Sequence, residues 1–379
     1  MVYLIFGNQS EGIYRSYVVD VCTYLRDELG QPVRIIGFLS LRNFKAQRAS
    51  RKAVYKDAIF LPMFPFMQTW KWNILTLLLV WPFIGKKKVM ALSPLAANLA
   101  LRLKRMGLVK TLVYDSEGAV SAEWNEYDVV PSVQMKEAIG PLEEIAVRKS
   151  DFRRVVSRKM INWFERTYAY DSKAHIVVPC TISQKFQQAL PDQESLLKLR
   201  RKYGFLPDDI IFVYAGSSAK WQSFDMFDTY LYHWFKHSPK AKLLLLSKSD
   251  ASEMKTVQAY PERIFQKWLP YDEVVSHLQI SDYGILIREQ SVTNEVAAPT
   301  KFAEYLASGL QVLISPYVGD YSAFVKEHEC GKVLEGNKGE YALTFEQTPY
   351  ERKQYHHQLA QSYFTKAHFK SDWQKLIAV

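Results

Sequence analysis

A carboxylate and an ammonium three residues apart, Glu304 and Lys301, lie within NEVAAPTKFAEYLASGLQVLISPYVGD, residues 294–320. An irregular stretch ends at Pro299, a helix from about Lys301 to Ser308 brings both charges onto nearly one face, and Gly309 stops it. The apolar strand QVLIS follows. A carboxylate in this position can accept both hydroxyl protons of a vicinal diol such as ribose. An ammonium at a helix N-terminus, beside free backbone N–H groups, favours a phosphate. The other reading of these residues is an amphipathic helix in which Phe302, Tyr305 and Leu306 pack while the two charges form a solvated pair.

Two more segments have types and spacing suited to the same chemistry. VYAGSSAKWQSF, residues 213–224, is a strand, a small-residue loop and a helix start, which lets backbone N–H groups approach a pyrophosphate. Gly216, Ser217 and Lys220 are its diphosphate candidates, and Trp221 and Gln222 would point toward a sugar. The spacing is not that of a P-loop. REQSVTNE, residues 288–295, follows the strand YGILI and so falls at the C-terminal edge of a sheet, where α/β folds bind ligands. Arg288 and Glu289 are candidates there for phosphate and donor-sugar contacts.

The order Pro299, Lys301, Glu304-Tyr305-Leu306-Ala307-x-Gly309 resembles the sugar-nucleotide segment of retaining, family 4-type glycosyltransferases. The 216–222 loop is similar to a Gly-Ser-x-x-Lys-Trp-Gln loop of polysaccharide glycosyltransferases. The resemblance covers most of the chain and is specific over about residues 213–222 and 282–320. It implies a GT-B fold: α/β, two Rossmann-like doubly wound domains facing across a cleft, with a C-terminal helix crossing back to the first. It assigns Gly216, Ser217, Lys220, Arg288 and Lys301 to the diphosphate of a UDP- or GDP-sugar and Glu304 to its ribose. Glu289, Asn294, Glu295 and Thr300 become donor-sugar candidates. Family members carry a second glutamate eight positions before the first, where this chain has Val296, so Asn294 or Glu295 would take that role.

In the first half of the chain, the resemblance makes Gly12 of GNQSEG and Asp115, Glu117 and Glu123 of YDSEGAVSAEW acceptor or cleft candidates. Glu117 stands where related enzymes more often have Arg, and Asp115 could equally cap the following turn. Retention by front-face attack assisted by the leaving phosphate implies no protein base, no cofactor and no metal. The implied acceptor is a saccharide or polyprenyl-linked saccharide of surface polysaccharide or lipopolysaccharide assembly.

These residues need a scaffold, and the apolar runs supply one. VYLIF, VRIIGFL, AIFLPMF, KVMALS and TLVYDS alternate with helical patterns, and IIFVYAG, KLLLLS, IFQKWLP, YGILIR and QVLIS form a second series. The expected divisions are an acceptor-binding domain over 1–165, a nucleotide-sugar domain over 166–355, and a tail over 356–379 that returns to the first domain. The 379 residues, 48% of them hydrophobic, suffice for two cores. GNQSEG lacks the dinucleotide fingerprint, which disfavours a dehydrogenase.

Lys and Arg number 49 against 39 Asp and Glu, and the net charge of +10 suits an anionic partner. Three unpaired-looking cysteines and no histidine cluster speak against zinc or disulfides and for a cytoplasmic setting. No signal peptide is expected at MVYLIFGNQ. Residues 62–88, PMFPFMQTWKWNILTLLLVWPFIGKKK, join aromatics, an apolar run and a basic end, which suggests peripheral contact with an anionic membrane on the inner face of the plasma membrane. The basic stretch SDFRRVVSRKMINWFER adds to that expectation. The apolar run Ile74 to Ile84 is short of the roughly 20 residues a spanning helix needs. Two rival functions remain: a non-catalytic GT-B scaffold, motivated by Val296, and a basic nucleic-acid-binding α/β protein. Scattered basic residues disfavour the latter, so no nucleic acid is expected.

Overall fold

The computed structural model describes the chain except residues 8–10, 217–218 and 249, and the side chains of Glu11, Tyr271 and Asp272. It comprises two compact units, one of Met1–Pro179 with Phe369–Val379, the other of Cys180–His368. The sequence expectation divides the chain at 165 and 355 instead. The strand after residue 165 pairs in the first sheet, and the helix Tyr350–Tyr363 buries Lys353, His356, Leu359 and Ala360 within the second unit.

The strands of the first unit are β1 (Val2–Ile5), β2 (Arg34–Ser40), β3 (Ile59–Met63), β4 (Lys87–Leu92), β5 (Val109–Ser116), β6 (Phe152–Val155) and β7 (His175–Val177). They form a parallel sheet in the order β3-β2-β1-β4-β5-β6-β7. Its core gathers Tyr3, Ile5, Val18, Leu25, Ile35, Val113 and, from the returning helix Lys370–Ala378, Trp373 and Leu376. The second unit has β8 (Ile210–Ala215), β9 (Ala241–Leu246), β10 (Ile264–Lys267), β11 (Tyr283–Leu286), β12 (Gln311–Ile314) and β13 (Gly331–Val333). These are parallel in the order β10-β9-β8-β11-β12-β13, over a core of Phe212, Trp234, Leu243, Tyr283 and Phe345. Each order reverses direction once, at β1/β4 and at β8/β11. Such a switch point opens a crevice beyond the C-terminal ends of its two strands.

The periodicity did not predict β6 or β13. FRRV reads as surface because it is half arginine, yet both guanidiniums are buried. Arg153 donates to Val147 O, and Arg154 meets Asp115 Oδ1 at 3.1 Å and Pro179 O at 3.2 Å. This stretch therefore gives a membrane no exposed charge at Arg153 or Arg154. Residues 67–83 fold as a 3-10 turn (Met67–Trp72), a helix (Asn73–Val80) and a further turn (Trp81–Phe83). Trp70, Leu77 and Trp81 are buried, while Trp72, Leu75, Leu79 and Phe83 are 60, 46, 74 and 87% exposed. At helical spacing the second set is an apolar stripe on the outer side. No described helix is long and apolar enough to cross a membrane.

A buried ion pair fixes the second sheet. Arg200 Nη2 lies 2.9 and 2.8 Å from the two oxygens of Asp282, which also accept the N–H groups of Ile211 and Thr348. Asp282→Ala leaves the guanidinium buried without its partner and costs about 3–5 kcal/mol. Urea unfolding followed by tryptophan fluorescence should show a loss of that size.

Candidate functional site

The β8/β11 switch point of the second unit carries the site. Gly216 follows β8, Arg288 follows β11, and the helix Thr300–Ala307 lies against β11 and β12. Gly284 on β11 is bare because the Tyr305 ring occupies the space a Cβ would take, and the Tyr305 hydroxyl accepts the Ala215 N–H at 3.1 Å. That contact sets how deep the helix sits. The helix stops at Ala307, where Leu310 N–H returns to Tyr305 O at 3.0 Å.

Lys301, in the first turn, points back toward the end of β8. Its ammonium is 4.1 Å from the Tyr214 ring centroid and donates to Gln222 Oε1 at 3.2 Å. Gly216 has φ +145°, and a Cβ there would come within 2.5 Å of the ammonium, so only glycine serves. Arg288 reaches the same amide oxygen from the other side, with Nη2 at 3.3 Å, while its Nη1 donates to Asn294 Oδ1 at 3.1 Å. Two cations thus share one neutral acceptor. Burial, then the Arg288 charge, holds the Lys301 ammonium well below the usual lysine range, with Glu304 opposing. Glu304 is half-buried and pushed up to about 7 by burial, with Lys301 pulling the other way. An oxyanion in the place of the Gln222 oxygen would satisfy both cations and favour the charged form of the lysine.

The other donor candidates separate. Ser217 lies outside the described residues. Lys220 is exposed on the 3-10 turn Lys220–Gln222, turned to solvent rather than into the cluster. Asn294 is fully buried, with Oδ1 on Arg288 and Nδ2 on Glu289 O at 3.1 Å, so its amide is committed to holding Arg288. Glu295 accepts from Gln290 Nε2 at 3.0 Å, and Glu289 is exposed with its N–H on Ser223 Oγ at 2.8 Å. Thr300 is half-buried as the first residue of the helix. Tyr214 and Tyr305, which carry no charge pattern, were not singled out as contacts. Their signal is position, one at a strand end and one beside Glu304.

The first unit changes the standing of Asp115. Its carboxylate is fully buried and accepts from Tyr3 Oη at 2.5 Å, from Tyr17 Oη at 2.8 Å and from Arg154. With those bonds it neither lines a cleft nor caps the turn; it is an internal tie between β5, β6 and β1. Gly12 is exposed in the short helix Glu11–Ile13. Glu117 and Glu123 are half-buried past the end of β5. Burial first, then the Asp115 charge, pushes Glu117 up to about 8; burial, then Glu143, pushes Glu123 up to about 7. Glu143, not foreseen, accepts the N–H groups of Val120 and Ser121 at 3.0 and 2.9 Å and so seats the helix that carries Glu123. Among the described residues no group of three or more His, Cys, Asp or Glu is placed to hold a metal ion.

Folding binds a proton at Glu117, because the folded carboxyl keeps it up to about 8 and the unfolded chain releases it near 4.5. The stability Glu117 contributes is therefore lost as pH rises across that window. Glu117→Gln should melt like wild type at the acid end and at a higher temperature at the alkaline end, in a melting series over pH.

No protein-family model matches the chain, and no curated protein matches it. Solved structures do. HepE of Anabaena, in complex with UDP, superposes with a TM-score of 0.70 over 100% of both chains at 11% identity. WaaG, a glycosyltransferase involved in lipopolysaccharide biosynthesis, superposes with 0.69 over 97% of this chain and 99% of its own at 13% identity. Sucrose-phosphate synthase of Thermosynechococcus elongatus superposes with 0.68 over 100% of both chains at 13% identity. At such identities the likeness establishes architecture, and the chain has the α/β GT-B fold of these glycosyltransferases.

Proposed function

We propose that the protein is a retaining glycosyltransferase that moves a sugar from a UDP-sugar to a saccharide or polyprenyl-linked saccharide in surface polysaccharide or lipopolysaccharide assembly. The observation that carries this is the convergence of Arg288 and Lys301 on the single oxygen of Gln222 at a sheet switch point. Two cations converging on one oxygen there suit a leaving diphosphate, whose charge grows as the glycosidic bond breaks. Arg288 and Lys301 take the diphosphate, and Glu304 takes the ribose hydroxyls. Gly216 lets the diphosphate approach the backbone. UDP bound by HepE supports uracil as the base. Attack from the leaving-group side uses the departing phosphate as base, so no side chain is assigned that role. Glu117 and Glu123, pushed up to about 8 and about 7, are the acceptor-side candidates of the first unit. The exposed stripe Trp72, Leu75, Leu79 and Phe83, with Lys71, Lys86 and Lys87 beside it in sequence, would lie in an anionic membrane interface and bring a lipid-linked acceptor within reach.

A ligand that binds only the folded protein raises its melting temperature, by about 2.7 kcal/mol of added stability at a hundredfold excess over Kd. UDP is expected to raise it, and GDP, ADP and CMP much less. Glu304→Ala removes hydrogen bonds worth about 1.5–3 kcal/mol, a ten- to hundredfold loss of affinity. Gln222→Ala, which removes the oxygen the two cations share, should keep or strengthen the shift. A well-folded protein that responds to no nucleotide would sink the donor-site assignment.

One observation favours a second reading, a scaffold that binds sugar nucleotides without turnover. Val296, where the family has its other glutamate, is buried, and the Asn294 amide is already committed. Slow release of UDP from UDP-sugar in the absence of acceptor is expected of the enzyme. Binding without any such release, over a panel of UDP-sugars and oligosaccharide acceptors, would decide for the scaffold.

A further inference from the structure

A cavity of about 460 Å³ opens at the N-terminal edge of the first unit's sheet, where Val2, Arg34 and Lys87 begin or nearly begin their strands. Reaction sites of α/β sheets lie at the opposite edge, so nothing in the proposed transfer uses it. Arg34 and Lys87 are exposed on its wall, and among the described residues neither has a salt-bridge partner. Asp57 is the acid on the same wall. Arg34, Lys87 and the Met1 ammonium outnumber that carboxylate and leave the cavity positive. Phe83 and Ile84 line it as well, and Phe83 is the last residue of the exposed stripe Trp72, Leu75, Leu79 and Phe83. The cationic wall and the apolar stripe are therefore continuous through one residue.

We propose that this cavity binds the phosphate headgroup of an anionic phospholipid, with Arg34 and Lys87 on the phosphate and Phe83 beside the first part of the acyl chains. A soluble anion would need the two cations but would leave the Phe83 side without purpose. A purely apolar partner would leave the cations desolvated and unpaired. A phospholipid satisfies both halves, and Asp57 can accept from a hydroxylated headgroup such as that of phosphatidylglycerol. The inference rests on the membrane reading above and adds a defined headgroup site to it.

The test is co-sedimentation with phosphatidylcholine vesicles, with and without phosphatidylglycerol, comparing two double variants. Arg34→Ala with Lys87→Ala empties the cavity wall; Lys71→Ala with Lys86→Ala removes equal charge from the neighbouring chain. The surface field alone is worth about fivefold in partition per basic residue, which both pairs lose alike. A direct charged bond to phosphate is worth about ten- to hundredfold more per residue. The cavity pair is expected to weaken phosphatidylglycerol binding at least about tenfold beyond the control pair. Equal losses would reduce Arg34 and Lys87 to ordinary surface charges and overturn the site. Inorganic phosphate that stabilises the protein through these residues, while vesicle binding is indifferent to them, would overturn the lipid as its source. Wild-type protein that ignores phosphatidylglycerol vesicles removes the membrane reading and this site together. The thermal shift with UDP, which neither pair should alter, reports the donor reading separately.

Discussion

Each unit depends on one ionised pair taken out of water. Burying a carboxylate or a guanidinium alone costs several kcal/mol even after relaxation, so such a pair demands hydrogen bonds from its surroundings. In the first unit Asp115 and Arg154 meet that demand with Tyr3, Tyr17 and Pro179 O, which lie on β1, on a helix after it, and where the chain leaves the unit. The Arg154 guanidinium is also 5.9 Å from the Trp373 ring of the returning helix. In the second unit Arg200 and Asp282 join the helix Gln193–Lys202 to β8, to the start of β11 and to Thr348, and Lys353 donates to Ser281 O beside them. These pairs lock strand register: a one-residue slip would strand a charge.

With the frames fixed, the donor candidates can be left incomplete. Arg288 and Lys301 are held near each other although they repel, because β11 and the Thr300–Ala307 helix are each positioned by bonds elsewhere: Ser315 Oγ on the Arg288 N–H at 2.8 Å, Tyr305 on Ala215. The repulsion appears as a depressed lysine, and Gln222 offers only a neutral oxygen against it. Frame stability and site deficit are separate: the buried pairs supply the first, and an anion would relieve the second.

What could be read in the chain follows the range of the interaction concerned. Lys301 and Glu304 were legible because a helix fixes their relation within three residues, and the strand alternation gave the α/β class. Gln222 beside Arg288 was not, since 66 residues and a sheet crossing separate them and only parallel register brings them together. Asp115 looked available because YDSEG reads as a polar strand end, but its partners Tyr3 and Tyr17 come from 112 and 98 residues away. FRRV misled for the same reason: local composition gives two arginines no way to announce that the fold has a carboxylate and carbonyls waiting for them.

The first unit's sheet also has two chemically different edges. Past the C-terminal ends of its strands, Glu117 and Glu123 are acids that burial pushes up to about 8 and about 7. At the N-terminal end, Arg34 and Lys87 are exposed cations around a cavity. Parallel strands make this polarity possible, since every strand starts on one side and ends on the other. On the proposed reading, the acids suit a hydroxyl-bearing saccharide at one edge and the cations suit an anionic surface at the other, and exchanging the two sets would deprive both edges of those partners.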